Sequence, residues 1–321
     1  MNYIAITIGD INGIGIELFI KLWKLKKNNK FILLSNHNLI DRFFKRNNIN
    51  FPINLINNNL NNFKKNCVNI YSYKAKNNEE NAFKSLIHSY NLSKKGYFIG
   101  ILTLPINKEK IIKKINSKFV GQTEIYQKLD NKKYPNMLFI KNNLIFATLT
   151  THIRLNEITK HLSSKIYLYN KIISLNKTLI NDFDIINPKI IISGINPHAG
   201  ENNCIGDEET IYLKPVIKKL IKNNIKIYGP YSGDAVLTKK NMKKYNCFVF
   251  NYHDQALIPF KMISNNSGIN YTSGLSIIRV SPDHGTAYDI VGKNKGNIKG
   301  LINCVNLIKK IYKNRKRIVN S

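Results

Sequence analysis

An α/β fold with a largely parallel sheet is predicted by three observations. Short apolar runs alternate with longer amphipathic stretches along the whole chain, a glycine loop joins the first run to the stretch after it, and several runs stop at a histidine. The first run, YIAITI, precedes the amphipathic stretch GIELFIKLWKL; KFILLS follows, then NLIDRFFKRNN. The alternation resumes with GYFIGILTLP, MLFI, LIFATLT, the long stretch EITKHLSSKIYLYNKIISLNKTLI, then KIIISGIN, LKPVIKKLIKNN, KIYGPY, CFVFNYHD and a closing CVNLIKKIYKN. The asparagine-rich stretch at residues 46 to 66 resembles low-complexity linker, but Phe51, Ile53, Leu55 and Ile56 within it argue for a decorated loop or short strand. No internal repeat and no Pro/Ser linker divides the chain. Two intimate lobes around a cleft are expected, with 1–118 and 282–321 forming the first and 119–281 the second.

Composition bounds the function. At 321 residues the chain can bury a core in each of two domains. A formal charge of +31, from 50 Lys+Arg against 19 Asp+Glu, points first to nucleic acid. The excess is lysine rather than arginine, however, and comes with abundant Asn, Ile, Tyr and Phe, all encoded by A/T-rich codons. The lysines are scattered through segments such as PVIKKLIKNNIK and LIKKIYKNRKR. Drift in base composition with lysines on solvated faces accounts for this better than a nucleic-acid surface. Cys67, Cys204, Cys247 and Cys304 form no C-x-x-C pair, so neither a disulfide framework nor a thiolate zinc site is indicated. MNYIAITIGD reads as a first strand rather than a leader, and no apolar run approaches the roughly 20 residues of a membrane span. A cytoplasmic location without membrane or nucleic-acid partners is expected.

Three apolar runs end at a histidine: IFATLTTHIRL at His152, IIISGINPHAGE at His198 and CFVFNYHDQALIPFK at His253. A fourth histidine, His284, follows a further run in VSPDHGTAYDI. At the carboxyl ends of parallel strands, side chains distant in sequence converge, and three neutral imidazoles can hold one divalent cation with positions left for substrate. Unrelated loop histidines are the alternative, and the spacing alone matches no short metal motif. GDINGIGIE places Gly9, Gly13 and Gly15 between a strand and a helix; it suits a phosphate or a plain βα turn, and its order is not that of the dinucleotide fingerprint. Lys108 in TLPINKEK leaves another strand exit, facing an anion or water.

Taken together, GDINGIGIE, TLPINKE, GQTE, TTHIRL, GINPHAGENNCIGDEE, GPYSGDAV, YHDQALIPFK and GINYTSGLSIIRVSPDHGTAYDIVGK resemble the 4-hydroxythreonine-4-phosphate dehydrogenase family of vitamin B6 biosynthesis, almost end to end. The resemblance implies the two-lobed fold of isocitrate and isopropylmalate dehydrogenases. It also implies a homodimer with its active site at the subunit interface. The implied reaction is oxidation of the 3-hydroxyl of 4-phosphohydroxy-L-threonine by NAD, or NADP as the alternative, followed by decarboxylation. The implied metal ligands are His152, His198 and His253, for zinc or alternatively magnesium, cobalt or manganese. The implied substrate contacts are Gln122, Thr123, Lys261, Asn270 and Arg279, and cationic Lys261 and Arg279 suit a substrate carrying phosphate and carboxylate. Asp234 is the expected proton acceptor, and Asp283 to Thr286 line the site. Gln122 stands where the family usually has histidine, Ile11 and Ile16 where prolines are usual, and Ala256 where glycine is. Two other readings compete: a related dehydrogenase of another four-carbon phosphorylated hydroxy acid, and a metal-dependent hydrolase without NAD.

Overall fold

The computed structural model describes residues 2–25, 30–47, 49–56 and 60–320. Its strands are β1 (Tyr3–Thr7), β2 (Lys30–Leu34), β3 (Ile53–Ile56), β4 (Val68–Tyr71), β5 (Phe98–Thr103), β6 (Asn136–Lys141), β7 (Leu144–Thr148), β8 (Lys189–Ser193), β9 (Lys226–Tyr231), β10 (Cys247–Phe250), β11 (Ile269–Ser273) and β12 (Arg279–Pro282), with helices between most of them. The expected α/β class is the observed one. The asparagine-rich stretch contributes β3, a strand paired in parallel with β4. Its residues 48 and 57–59 lie outside the described residues.

The chain forms two compact units, Met1–Asn131 with Leu275–Tyr312, and Lys132–Gly274 with Lys313–Ser321. These boundaries differ from the expected 118/119 and 281/282. The helix Gln122–Leu129 belongs to the first unit because Tyr126 is fully buried there, its hydroxyl 2.7 Å from that of Ser89. Asp130 then fastens residue 276 to the same unit, accepting from the Ser276 N–H at 2.6 Å and its hydroxyl at 2.5 Å. Gln122, Thr123 and Arg279 therefore lie in the first unit rather than the second.

In the first unit the strand order is β3-β4-β2-β1-β5-β12, and the pairings are parallel. Every residue of β1 and β5 is buried, as expected of strands covered on both faces. The chain moves outward from β1 through β2 on one side and reaches β5 on the other, so the β1/β5 carboxyl ends form a topological switch point, where open α/β sheets bind ligands. The helix Asn78–Lys94 packs on β1 and β5. Asparagines abundant in this chain also start its helices: Asn36, Asn77 and Asn107 each accept a hydrogen bond from the N–H three residues on, which satisfies an orphan donor of the first turn.

In the second unit the order is β11-β6-β7-β10-β8-β9. β6 runs antiparallel to both β11 and β7, whereas β7, β10, β8 and β9 are parallel. A core of Phe139, Phe146, Phe248, Phe250 and Phe260 packs on this sheet. At its far side the buried Asp182 accepts from Tyr271 at 2.5 Å and from Arg315 Nε at 2.6 Å, which ties the last helical turns to β11.

Asp130 supplies a pH-dependent part of the stability. Burial pushes its carboxyl up, but hydrogen bonds from Ser276 and Tyr90, together with the charge of Lys94, hold it below the usual carboxylate range. A depressed carboxylate stabilises the fold above its unfolded value, about 3.9, and that contribution disappears as pH falls through the lowered native value. Asp130→Asn should therefore have a lower urea midpoint than wild type at neutral pH, with the gap closing below about pH 4. Parallel urea midpoints across that window would show that Asp130 contributes no such term.

Candidate functional site

Two groups of the expected residues are assembled, one in each unit. In the first unit, β12 delivers Arg279, 2% exposed, to the carboxyl end of β5. Its Nη2 donates to Thr103 Oγ1 at 2.6 Å and to Gln122 Oε1, and its Nη1 to Thr123 Oγ1 at 3.3 Å. The guanidinium also lies over the Tyr126 ring, 5.9 Å from its centroid. Burial pushes the guanidinium down to about 10, and it stays cationic at neutral pH. A charged fork held by three neutral oxygens in a dry setting is suited to an anion. Gln122 uses both ends of its amide, accepting from Arg279 and donating from Nε2 to the Leu104 carbonyl at 2.9 Å. It thus fixes the start of its helix to the β5 exit, a job that needs a hydrogen-bonding side chain but no charge.

The glycine-bearing first loop closes on the same strand ends. Gly9 has φ +64°, and a Cβ there would stand 2.4 Å from the Pro105 carbonyl oxygen, so no other residue fits. Asp10 N–H donates to that same oxygen at 2.8 Å, and Ile14 N–H to the Thr286 carbonyl at 2.8 Å. The Tyr288 hydroxyl donates to Asp10 Oδ2 at 2.5 Å and receives Asn107 Nδ2 at 2.8 Å. GDINGIGIE, TLPINKE and DHGTAYDI are thereby one packed cluster. Ile11 and Ile16, in place of prolines, are 3% and 0% exposed and act as core. Beside this loop a cleft of about 590 Å³ is lined by Gly13, Lys21, Lys24, Phe43, Phe51 and Gly292, among others.

In the second unit, His152, His253, His198 and Asp234 follow the carboxyl ends of β7, β10, β8 and β9, which are neighbours in that order. One edge of one parallel sheet carries all four. The His152 and His253 rings are 5.5 Å apart between centroids. Two imidazoles bound to one tetrahedral cation at about 2.0–2.1 Å have ring centres about 5 Å apart, so this pair has a suitable separation. His253 Nδ1 lies 2.7 Å from Asp254 Oδ1, the carboxylate–imidazole arrangement that leaves Nε2 to face a cation. His198 does not complete the set: among the described residues, no three His, Cys, Asp or Glu side chains converge into a single cation-holding group. It follows β8, the strand beside β9, whose end carries Asp234. Of the three expected histidines, the rings of His152 and His253 are brought together and that of His198 is not grouped with them. Nearby acceptors are short of donors, since Thr148 Oγ1 and Asn251 Oδ1, both in residues 0% exposed, have no hydrogen-bond partner. Donor chemistry and placement fit a divalent cation.

The reason for the position of His198 is local. After Pro197 the chain turns left-handed, with φ 50°, 52°, 83°, 41° and 55° at residues 198 to 202. Left-handed backbone costs about 1–2 kcal/mol for each non-glycine residue, so this turn needs support from its surroundings. Gln255 ties the two histidine-bearing strand ends together: its Oε1 accepts from Asn251 N–H at 2.9 Å and Ser193 Oγ at 3.0 Å, and its Nε2 donates to the Gly194 carbonyl at 2.9 Å.

Asp234 is exposed, and the Ser232 hydroxyl holds its carboxyl below the usual range. Asn270, on β11, points a buried Oδ1 with no hydrogen-bond partner. Lys261 lies two turns beyond His253 on the helix His253–Ser264, about 12 Å along its axis. Ala256 is 0% exposed in that helix. Sequence reasoning missed Thr103, Glu209 and Tyr288. It also missed Gln255, although its place two residues after His253 was a signal.

Fold, strand-end cluster and relatives define an oxidoreductase of the dehydrogenase type built on two α/β units. The chain is 32% identical over 316 residues to the 4-hydroxythreonine-4-phosphate dehydrogenase of Sulfurihydrogenibium sp., covering 95% of this chain and 96% of that one. It is 35% identical over 225 residues to the enzyme of that name from Bacteroides thetaiotaomicron, covering 70% of this chain and 61% of that one. The crystal structure of 4-hydroxythreonine-4-phosphate dehydrogenase from Klebsiella pneumoniae superposes with TM-score 0.81 at 25% identity, over 97% of this chain and 100% of that one. Residues 26–308 match the family described as pyridoxal phosphate biosynthetic protein PdxA. The chain belongs to that family.

Proposed function

We propose that this protein oxidises 4-phosphohydroxy-L-threonine at its 3-hydroxyl with NAD, in the presence of a divalent cation, and releases carbon dioxide to give 3-amino-2-oxopropyl phosphate, a step toward pyridoxal 5'-phosphate. The observation that carries this reading is the row of His152, His253, His198 and Asp234 on adjoining parallel strand ends, in a chain of the PdxA family. Held by the three imidazoles, zinc, magnesium, cobalt or manganese would act as a Lewis acid toward the substrate hydroxyl. NAD would supply the hydride acceptor; the cleft beside the glycine loop has a ligand-sized volume, two lysines and two phenylalanines, which suits a nucleotide.

The remaining work falls to side chains. Arg279, Gln122 and Thr123 bind an anionic end of the substrate, Lys261 adds a second cation, and Asn270 offers an acceptor to a substrate donor. Asp283 to Thr286 back the first loop. Asp234, ionised at neutral pH, takes the hydroxyl proton directly or through water. Asp234→Asn should lower kcat by about 10²- to 10⁴-fold with metal and substrate affinity unchanged; a near-normal kcat would remove it from that role. Exposed Ile258 (66%) and Met262 (82%), one turn apart on the helix His253–Ser264 that begins at His253, favour a homodimer whose interface covers them and lies at the active site. A cytoplasmic location goes with this metabolic role.

The test is stoichiometry. One NADH and one carbon dioxide should appear for each 4-phosphohydroxy-L-threonine consumed. NADH without carbon dioxide would remove the decarboxylation. NADH only with another four-carbon phosphorylated hydroxy acid would change the substrate, and no nicotinamide reduction with any of them would favour a hydrolase.

A further inference from the structure

We infer that Glu209 is a positioning residue for His198, holding the left-handed turn that carries the imidazole; this rests on His198 being a metal ligand. Glu209 is 2% exposed and begins the wide helical turn Glu209–Leu213. Its Oε1 accepts the N–H groups of Ile195 and Asn196, both at 2.7 Å, and its Oε2 accepts Asn196 Nδ2 at 3.0 Å. Glu208 Oε2 accepts the same Nδ2 at 2.6 Å. The two residues thus grip the chain immediately before Pro197 and His198. Such charge-assisted bonds from a carboxylate to backbone N–H groups are the strong ones.

The turn is also folded around this carboxylate. A Cβ on Gly194 would stand 3.1 Å from Glu209 Oε1 and 2.8 Å from Ala199 Cβ; a Cβ on Gly200, where φ is +83°, would stand 3.0 Å from Glu209 Oε2 and 2.7 Å from the Gly206 carbonyl oxygen. A side chain at either glycine would meet the turn itself first, Ala199 at one and the Gly206 carbonyl at the other, with the carboxylate next. Six consecutive residues, 198 to 203, have positive φ, and the carboxylate grips the chain just before them. Partners behind a ligand of this kind commonly set metal affinity by about 10–100-fold.

Glutamine at 209 keeps the size and one acceptor but turns an N–H₂ toward Asn196 Nδ2, donor against donor. The experiment is a Co²⁺ titration of the metal-stripped full chain, read by the visible absorption of the bound ion, with wild type, Glu209→Gln, Asn196→Ala and His198→Ala compared after melting curves establish the folded fraction. Glu209→Gln should weaken Co²⁺ binding per folded chain by about 10–100-fold, with turnover recovering at saturating Co²⁺. A purely structural role would lower the folded fraction and leave the affinity of the folded chains unchanged, which would overturn the inference. Should Glu209→Gln not fold, Asn196→Ala, which removes the Nδ2 contacts to Glu209 Oε2 and Glu208 Oε2 but keeps the two backbone N–H bonds to Glu209 Oε1, should weaken binding in the same direction by a smaller factor, and wild-type affinity there would also overturn it. If His198→Ala binds Co²⁺ as tightly as wild type, the ligand role of His198 fails and this inference with it; weakening in His198→Ala alone sinks the Glu209 role and spares the ligand.

Discussion

Arg279→Met should lower kcat/KM for the phosphorylated substrate by about 10²- to 10³-fold while the protein stays folded. The argument starts from burial: the guanidinium is 2% exposed and bonded to Thr103, Thr123 and Gln122. In so dry a setting its attraction for an anion is poorly screened. Losing one partner of a buried charge pair costs about 3–5 kcal/mol, and each 1.4 kcal/mol is about tenfold. Methionine fills similar volume without charge, so the fold should tolerate it better than the reaction does. Arg279→Lys should rescue little, because a point charge cannot address the two hydroxyls and the amide that the planar fork reaches at once. Steady-state kinetics checks both; activity within tenfold of wild type in Arg279→Met would remove it from substrate binding.

His253→Ala should reduce activity to background and drop bound divalent metal below one per chain. His253 has two connections at once: its ring is 5.5 Å from that of His152, and its Nδ1 is 2.7 Å from Asp254. Removing it dismantles the pair and the carboxylate that orients it. Because residues acting as a unit are not additive, the double change His152→Ala with His253→Ala should be no worse than either alone. Metal analysis beside turnover provides the check, and full metal occupancy with normal turnover in His253→Ala would contradict the pairing.

The runs of apolar residues made the sheets readable in advance, because a strand covered on both faces must be apolar throughout, as β1 and β5 are. Strand ends at His152, His198 and His253 were legible for the same reason. What the letters could not carry was the neighbourhood of those ends. The order β7-β10-β8-β9 follows from crossovers, and it alone places Asp234 on the histidine edge. The left-handed turn at His198 was hidden because Ala199 and Glu201 are residues that rarely adopt positive φ. Nothing in GDEE marks Glu209 as buried; its contacts with the N–H groups of Ile195 and Asn196 do. Thr103 lies within the apolar run of β5, and nothing in that run announces its bond from Arg279. The helix Gln122–Leu129 was assigned to the wrong lobe because nothing in GQTE announces the buried Tyr126–Ser89 contact.

The most direct test of the central claim, that histidines on one strand-end edge hold a cation for NAD-dependent oxidation, is NADH absorbance with NAD and 4-phosphohydroxy-L-threonine. It is followed before metal removal, after chelation, and after divalent metal is restored, beside His198→Ala. The account predicts NADH formation that stops on chelation, returns with metal and is absent in His198→Ala. NADH formation that survives chelation, or proceeds normally in His198→Ala, would contradict it.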